Sequence, residues 1–467
     1  MSTLIHLARI TIEFTTPLHI GSGKGANGAD AGLVLDANGL PTLPGSSIQG
    51  VLRGICHELD GDAAADQWFG FGTQKDQDGK KVNNGRQSHL SVSWGLIHDS
   101  KNEPVEGLVE LQAIQKDEVL HNAANSAIRD HVRLDHRRTA EDKGKFDELA
   151  LAPGHRFTFE VSLKATTENP ESDRWSRLVG MLNDPLFRLG GRTRRGFGGF
   201  KVIGLDDLSF NFAEPAEREA WLNRSCSLKT PASKRFKTTP TTTLGQDHSC
   251  DLKAEGLWMI GGGADDDADL APVRATRIVW DSNENGKEQK CFLIPGTSIK
   301  GAIAHRTCFH ANLQAQVFAD QIAPEEFKNV TGPNNAVVKA LFGDAVDHDE
   351  AKGSPGRIFI DDIYLPVSGF AHHQLPPQNH VSIDPFTGGA KDTALFQDRP
   401  LSGGSIPVPI FLRGKWEDFS QCEILPGKTA SPRKAFEAAL ENLKQGSLAI
   451  GAHSSRGYGY FKTTQPS

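Results

Sequence analysis

One short segment of the sequence places three arginines among five glycines, Gly190-Gly-Arg-Thr-Arg-Arg-Gly-Phe-Gly-Gly199. Guanidinium groups grip phosphate oxygens through paired hydrogen bonds, and bare glycines let backbone amides approach the same strand. An exposed aromatic ring in such a loop can stack on a base. The segment therefore favours RNA contact, and the predicted contacts are Arg192, Arg194, Arg195, Gly196 and Phe197. A surface hairpin turn with its aromatic ring in the core is the alternative.

An acidic segment offers carboxylates to a divalent cation. Residues 265–269 read Asp-Asp-Asp-Ala-Asp, without the glycine and distal glutamate of a calcium-binding helix–loop–helix. Beside phosphates such a run repels RNA unless a metal ion intervenes, which favours a metal-linked role. A hydrated loop is the simpler alternative and stays open. His372, His373 and His380 with Asp384 are a second metal candidate, but we favour a polar loop there because no cysteine lies close by.

The chain contains a tandem repeat. Five landmarks of the first half recur in the same order in the second half, with separations that differ only by loop length. The pairs are residues 19–25 with 259–263, 43–50 with 294–301, 68–70 with 341–343, 132–135 with 381–384, and 195–198 with 456–459. We therefore predict one domain at residues 1–210, a linker at 211–249 and an equivalent domain at 250–467.

The two halves share one predicted order of elements: strand, helix, strands, helix, strand. Ser46 or Ser47 is expected to cap the first helix, and Thr297 or Ser298 its counterpart. Apolar stripes predict the second helices around residues 175–182 and 436–443. This order is the ferredoxin-like pattern. The fold class predicted is α+β, with two tandem ferredoxin-like (RNA-recognition-like) domains.

Composition limits the class of protein further. The chain has 467 residues, of which 37% are hydrophobic and 23% charged, as in ordinary globular proteins. Its six cysteines are scattered, which suits a reducing cytoplasm. No stretch approaches the roughly 18 apolar residues of a membrane span, and the start has no basic export signal. We expect a cytoplasmic protein without a membrane partner.

The ordered set of motifs resembles the RAMP superfamily of CRISPR-associated proteins. It comprises Pro-Gly-Ser-Ser-Ile-Gln-Gly at 44–50, a later Phe-Gly, and Arg-Gly-Phe-Gly at 195–198, each repeated in the second half. Within that family the chain is similar to the backbone subunits of type III effectors, with two units fused. The resemblance implies that each unit holds guide RNA and carries a thumb hairpin that interrupts the guide–target duplex.

The resemblance also implies a catalytic residue. In the family, an aspartate in the loop after the first strand supports metal-dependent cleavage of target RNA. That position is Asp30 in the first unit and Asp269 in the second, where Asp267, Asp266 and Asp265 compete with it. The implied cofactor is Mg²⁺ or Mn²⁺, held by Asp30 and Asp269. The implied partners are guide (CRISPR) RNA, target single-stranded RNA and other subunits of a type III complex.

Further RNA contacts are predicted on the first helix of each unit, on the thumb hairpins (residues 131–138 and 380–386) and on the second copy of the arginine-containing loop. An apolar thumb tip flanked by arginines is suited to wedging between bases. The residues are Ser47, Gln49, Arg53, Val132, Arg133, Arg137, Ser298, Lys300, His305, Ile383, Arg456, Gly457 and Tyr458.

Two alternatives share this fold. In one, the chain is a scaffold for guide RNA and its aspartates are idle. In the other, it is a guide-processing endoribonuclease that uses histidine general acid–base chemistry. Dependence on Mg²⁺ separates the second alternative from the main hypothesis, because acid–base cleavage survives EDTA.

The net charge of −7 generates a first prediction. An acidic chain gains little from counterion release, so the isolated protein should bind arbitrary naked RNA weakly and lose it as salt increases. Filter binding or fluorescence anisotropy across a salt series measures this. Tight, salt-insensitive binding by the purified monomer would contradict it.

Overall fold

The computed structural model describes residues 2–23, 31–72, 74–75, 81–82, 85–135, 139–229, 243–264, 268–344 and 353–463. We call residues 2–211 the first unit and residues 245–463 the second unit. Among the helices in these ranges, none combines the length and hydrophobicity that crossing a bilayer requires.

The first unit is built on an antiparallel sheet. Its strands lie in the order Leu90–Val92, Arg156–Thr166, Thr3–Phe14, Phe200–Asn211, with Leu96–Ile97 added beside Arg156–Thr166. The two main helices are Gly45–Asp60 and Ser172–Gly180. With the strands counted along the chain, the spatial order is second, third, first, fourth, which is the ferredoxin-like arrangement.

The second unit repeats this arrangement. Its strands lie in the order Ile358–Ile360, then Ile410–Arg413 and Ser405–Val408, then Cys250–Ala254 and Phe461–Thr463, with helices Gly296–Gln314 and Pro432–Lys444. The third strand is interrupted at Pro409, since proline has no N–H for a strand ladder. The strand Gly245–Asp247 adds to its Ile410–Arg413 part. The predicted α+β class with two tandem ferredoxin-like domains is confirmed.

Shorter elements decorate both units. The helices are Asp62–Phe69, Leu111–Lys116, Glu118–Ala124, Pro215–Leu222, Phe327–Val330 and Ala336–Phe342. Strands Arg274–Trp280, Gly286–Ile294 and Ile363–Pro366 form a separate sheet. The remaining short strands are Gln74–Lys75, Lys81–Val82, Leu257–Trp258, Leu401–Ser402, Cys422–Leu425 and Lys428–Ala430.

The first helix of each unit begins where its backbone touches the second strand. A Cβ atom at Gly45 would lie 2.4 Å from the carbonyl oxygen of Val92, and one at Gly296 would lie 2.2 Å from that of Ile360. This contact explains why the repeated motif contains glycine. The predicted serine and threonine caps are wrong, because the helices begin directly after Pro44 and Pro295 and neither has a side-chain cap.

Both units carry a hairpin outside the main sheet. The first thumb hairpin consists of strands Ala127–Leu134 and Ala140–Ala150, and the second of strands Gln378–His380 and Phe396–Asp398. The first hairpin overlaps the predicted segment 131–138, of which residues 136–138 lie outside the described ranges, and the second overlaps the predicted segment 380–386. Residues 190–199, the first glycine loop, and residues 451–459, the second, lead into the last strand of each unit.

The two units meet through paired charges around an aromatic ring. Arg188 of the first unit pairs with Asp361, and Nη1 of Arg129 lies 2.9 Å from Oδ2 of Asp362. Between them, Phe359 is buried in the apolar core of the first unit, with the Arg188 guanidinium 5.3 Å from its ring centroid. The junction is therefore both apolar and ionic.

These charge pairs occur only at the internal junction within the described residues. Gly45 abuts Val92 as Gly296 abuts Ile360, so the first-unit equivalents of Asp361 and Asp362 are Ser93 and Trp94. Trp94 is exposed. The backbone N–H of Leu189 donates to the carbonyl oxygen of Gly198, and that of Ile450 donates to the carbonyl oxygen of Gly459. Leu189 and Ile450 are therefore equivalent, and the second-unit equivalent of Arg188 is Ala449.

Breaking a junction pair should destabilise the fold. Asp361→Asn leaves the Arg188 side chain, which is only 2% exposed, without its carboxylate. The free energy of unfolding is expected to fall by about 3 kcal/mol. Asp418→Asn is the control, because its pair with Arg357 is exposed and is worth at most about 1 kcal/mol. Equal effects of both variants in urea unfolding would contradict the importance of the junction.

Candidate nucleic-acid interface

The first glycine loop turns most of its charge toward the first thumb hairpin. Nε of Arg192 lies 2.6 Å from Oε2 of Glu148, and Nη1 of Arg195 lies 3.9 Å from Oε1 of the same residue. The Glu148 carboxylate is fully buried. Burial alone raises its pKa, but the hydrogen bond from His131 and the charge of Arg192 outweigh burial and lower the pKa to about 2.

The aromatic residues of both glycine loops are core residues. Phe197 is fully buried and Tyr458 nearly so. Base stacking by these two rings, predicted from the sequence, is wrong for this arrangement, because their faces are covered by protein. Gly198 and Gly459 explain this: both have positive φ and lie against the carbonyl oxygens of Leu189 and Ile450, which turns the preceding ring inward.

Two predicted RNA contacts lie at the junction between the units. Nζ of Lys300 donates hydrogen bonds to the carbonyl oxygens of Arg194 and Ile358 at 2.9 and 3.0 Å. The Arg194 guanidinium lies 5.5 Å from the centroid of Phe359. A Cβ atom at Gly196 would lie 2.8 Å from the carbonyl oxygen of Ile360. Lys300 therefore joins protein to protein and is not placed to face RNA. Arg194 is exposed, and its prediction as an RNA contact stays open.

The first helix of the first unit engages its polar residues internally as well. Nε2 of Gln49 donates to the Leu90 carbonyl at 3.3 Å, and Nη2 of Arg53 lies 2.6 Å from Oδ1 of Asp66. Both side chains are only partly exposed, so each can add an RNA contact only through its remaining donors. Ser47, Ser298 and His305 are also partly exposed.

Other predicted contacts lie at the surface. Arg456 and Gly457 of the second glycine loop are exposed, and the Arg456 guanidinium lies 5.0 Å from the ring centroid of Phe396 on the second thumb hairpin. The side chains of Val132 and Ile383, on the two thumb hairpins, are 52% and 53% exposed. These residues offer cationic and apolar surface to a polynucleotide.

The candidate catalytic residue Asp269 lies beside the second thumb hairpin. Its Oδ2 atom accepts a hydrogen bond of 2.8 Å from the backbone N–H of Gln397, and the residue is exposed. Gln397 stands between Phe396 and Asp398 in the hairpin strand. The structure therefore brings Asp269 to the place where the second thumb hairpin and the second glycine loop meet.

Several predictions fall outside the described residues. They are Asp30, Asp267 and Arg137, together with the side chain of Arg133. The neighbour of Asp30 is described: the carbonyl oxygen of Ala31 accepts a hydrogen bond of 3.1 Å from Leu149 N. Leu149 follows Glu148, so Ala31 lies beside the first thumb hairpin, as Asp269 lies beside the second.

The described part of the chain contains no group of three histidine, cysteine, aspartate or glutamate side chains arranged to hold a metal ion. His380 pairs with Asp398, and Asp384 accepts from the Phe386 amide, so the histidine-rich segment is not a metal site. Among the candidate catalytic aspartates, Asp269 is the one that lies within the described residues, and its carboxylate is exposed. One carboxylate suits a hydrated Mg²⁺ ion that draws its remaining ligands from phosphate and water.

Sequence reasoning missed the two buried carboxylates, Glu148 and Asp398. It paired segments 131–138 and 380–386 as thumbs but did not follow each hairpin to its returning strand. A signal was available, because His131 and His380 begin the repeated segments and each needs a partner inside the fold.

Fold and site define a class of protein: two tandem ferredoxin-like units, each with a thumb hairpin anchored on a glycine-rich loop. A family model described as the RAMP superfamily matches residues 11–201 and again residues 251–462. The chain belongs to the RAMP superfamily, and the predicted tandem repeat is confirmed by the two matches.

Two of the proteins to which the chain is similar are a curated relative and a solved structure. The chain is 28% identical over 206 residues to "CRISPR system Cms endoribonuclease Csm3" of Methanocaldococcus jannaschii, which covers 41% of this chain and 75% of the relative. A chain in the cryo-EM structure of the type III-B Cmr-beta complex bound to cognate target RNA has 15% identity and a TM-score of 0.29. That match covers 44% of this chain and 61%, less than two thirds, of the solved chain.

The position of Lys300 generates a prediction about pH. Burial, and then the charge of Arg194, lower its pKa from 10.5 to about 7. The unfolded chain therefore holds this proton to higher pH than the folded chain, so the free energy of unfolding should rise between about pH 7 and pH 10. Lys300→Gln introduces the residue that Gln49 provides in the first unit and should reduce that rise. Identical pH slopes in urea unfolding of wild type and variant would refute it.

Proposed function

We propose that this protein is a guide-RNA-binding backbone subunit of a type III CRISPR ribonucleoprotein that cleaves target RNA with its loop aspartates. The observation that carries the proposal is the place of Asp269, exposed and hydrogen-bonded to the base of the second thumb hairpin. Membership of the RAMP superfamily and similarity to a protein named as an endoribonuclease support it.

The reaction we propose is attack of an RNA 2′-hydroxyl on its adjacent 3′-phosphate, with departure of the 5′-oxygen. The attacking and leaving oxygens must stand in line, which a regular A-form helix does not permit, so the nucleotide has to be turned out of the duplex. The exposed apolar side chains Val132, Val381 and Ile383 are suited to wedging between bases. Holding the turned-out nucleotide in line then supplies much of the rate.

The cofactor we propose is Mg²⁺ or Mn²⁺, held by Asp30 in the first unit and Asp269 in the second. When bound, the ion would stabilise negative charge that develops on the phosphate. Asp269 already accepts the Gln397 amide through Oδ2, which fixes the direction of its carboxylate. Arg456, exposed beside the same hairpin, would bind an adjacent phosphate.

One observation favours the non-catalytic scaffold as a second candidate. The hydrogen bond from Gln397 gives Asp269 a structural task, which an aspartate without a catalytic role can also perform. In that case the family fold and RNA binding are kept, and other subunits of the complex act on the target.

Aspartate variants in the assembled complex separate the two candidates. Asp30→Ala and Asp269→Ala should each slow one set of cuts in an end-labelled target by on the order of 100-fold, because one stabilising group is removed from the transition state. Asp320→Ala, an exposed aspartate of the second unit, is the matched control. EDTA should stop both sets of cuts, and continued cleavage in EDTA would point to acid–base chemistry.

If both aspartate variants cut as the wild type does, the chain is a scaffold. Sequencing of the RNA that co-purifies with the complex tests the guide-binding part separately. A uniform 5′ end derived from a CRISPR repeat is expected, and a random population of cellular RNA would contradict it.

A further inference from the structure

We propose that Glu148 and Asp398 are positioning residues, each of which sets the geometry of the cleavage loop in its own unit. Each buried carboxylate joins its thumb hairpin to its glycine loop, and the strand that carries it is hydrogen-bonded to Ala31, the residue after Asp30, in the first unit and to Asp269 in the second. The proposal rests on the proposed function and adds two residues that touch neither the RNA nor the metal ion.

In the first unit, three basic side chains surround the Glu148 carboxylate. Nε2 of His131 lies 3.2 Å from Oε1, and Arg192 and Arg195 approach from the first glycine loop. The His131 ring stacks on Phe146 at 5.0 Å, and the Arg195 guanidinium lies 4.4 Å from the centroid of the same ring. The first thumb hairpin and the first glycine loop are thus locked to each other.

The second unit builds the same cluster around Asp398. Nε2 of His380 lies 2.9 Å from Oδ2 of Asp398, and Nε2 of His453 lies 3.7 Å from it. The His380 ring stacks on Phe396 at 4.7 Å, and Arg456 lies over Phe396 as Arg195 lies over Phe146. Asp398 is fully buried, as Glu148 is.

The arrangement is kept although the residues differ. The acid is one methylene shorter in the second unit, and the glycine-loop partner is the imidazole of His453 where the first unit has the guanidinium of Arg192. Both partners adopt a left-handed backbone, with φ of 57° and 59° respectively. The left-handed region is unfavourable for a non-glycine residue, so both loops carry strain in order to present this side chain.

Gln397, which lies between Phe396 and Asp398, connects the buried cluster to the candidate catalytic residue Asp269. Gln397 N donates to Oδ2 of Asp269, and in the first unit Leu149 N, next to Glu148, donates to the carbonyl oxygen of Ala31. A shift of the clamped strand therefore moves Asp269 in the second unit and Ala31, next to Asp30, in the first. Displacement of a catalytic group by about 1 Å can cost about 100-fold in rate.

Removal of the negative charge of Glu148 should lower the rate of RNA cleavage without lowering the affinity for RNA. In Glu148→Gln the carboxyl group becomes a neutral amide of nearly the same shape, and Arg192 loses the counter-charge of its pair with Glu148. The Arg192 guanidinium can then pair with a phosphate, so RNA affinity should not fall. The geometry of the aspartate loop should nevertheless relax, so the single-turnover cleavage rate should fall.

The experiment compares Glu148→Gln and Asp398→Asn, made separately in the complex reconstituted with guide RNA. Asp30→Ala and Asp269→Ala first assign each cut to a unit. Each positioning variant should then slow the cuts of its own unit by about tenfold or more and leave those of the other unit unchanged. Glu437→Gln, which alters the exposed pair with Arg433, is the control and should change neither.

A rescue variant and two further measurements distinguish positioning from loss of structure. Asp398→Glu combined with His453→Arg installs the first-unit pair in the second unit and should restore its cuts to within about threefold. RNA affinity and the melting temperature of each complex are measured in parallel. If cleavage, affinity and melting temperature fall together, or if the double variant cuts no better than Asp398→Asn, the proposal is overturned.

Failure of this proposal is distinguishable from failure of the proposed function. If neither aspartate variant removes a cut, the proposed function fails. If the aspartate variants remove their cuts and both positioning variants cut at wild-type rates, the function stands and the positioning role is refuted.

Discussion

A carboxylate removed from water must be surrounded by donors and cations, and each unit of this protein depends on that requirement. In the first unit, His131 of the thumb hairpin and Arg192 of the glycine loop both contact the Glu148 carboxylate. In the second unit, His380 of the thumb hairpin contacts the Asp398 carboxylate. Neither the hairpin nor the loop belongs to the main sheet, so backbone pairing of that sheet does not orient them. The contacts of the buried carboxylate orient the hairpin and the loop, as backbone pairing orients the strands of the main sheet.

Much of the fold could be predicted because its constraints act on residue type locally. Gly45 and Gly198 are needed where the backbone passes within contact of another chain segment, so they are visible in the sequence and again in its second half. The apolar stripe of the helix Gly45–Asp60 follows from its period, and its buried face includes Ile48 and Leu52. The repeat then extends each local inference to an equivalent place, which is why the order of elements was predicted correctly for both units.

The direction of charged and aromatic side chains could not be predicted in the same way. Arg194 and Lys300 look like phosphate ligands in a sequence, but their environment is set by a different unit of the same chain that packs on them. Phe197 lies in a loop of glycines and arginines, yet the positive φ of Gly198 and the bulk of the hairpin place its ring in the core. The sequence shows which charged residues the chain contains, but tertiary contacts determine which of their side chains face water. For Asp269, the sequence supplied the candidate and the structure supplied its neighbour.

The charge pairs at the junction make the two units chemically different from each other. Arg188 pairs with Asp361, and Arg129 pairs with Asp362. Two identical subunits stacked front to back would need both members of each pair, one on every front and one on every back. Here the arginines occur on one unit and the aspartates on the other, while Ser93, Trp94 and Ala449 stand at the equivalent outer positions. Because the two units are joined in one chain, their outward surfaces need not be complementary to each other. The two outer ends of the molecule therefore present different residues to a binding partner.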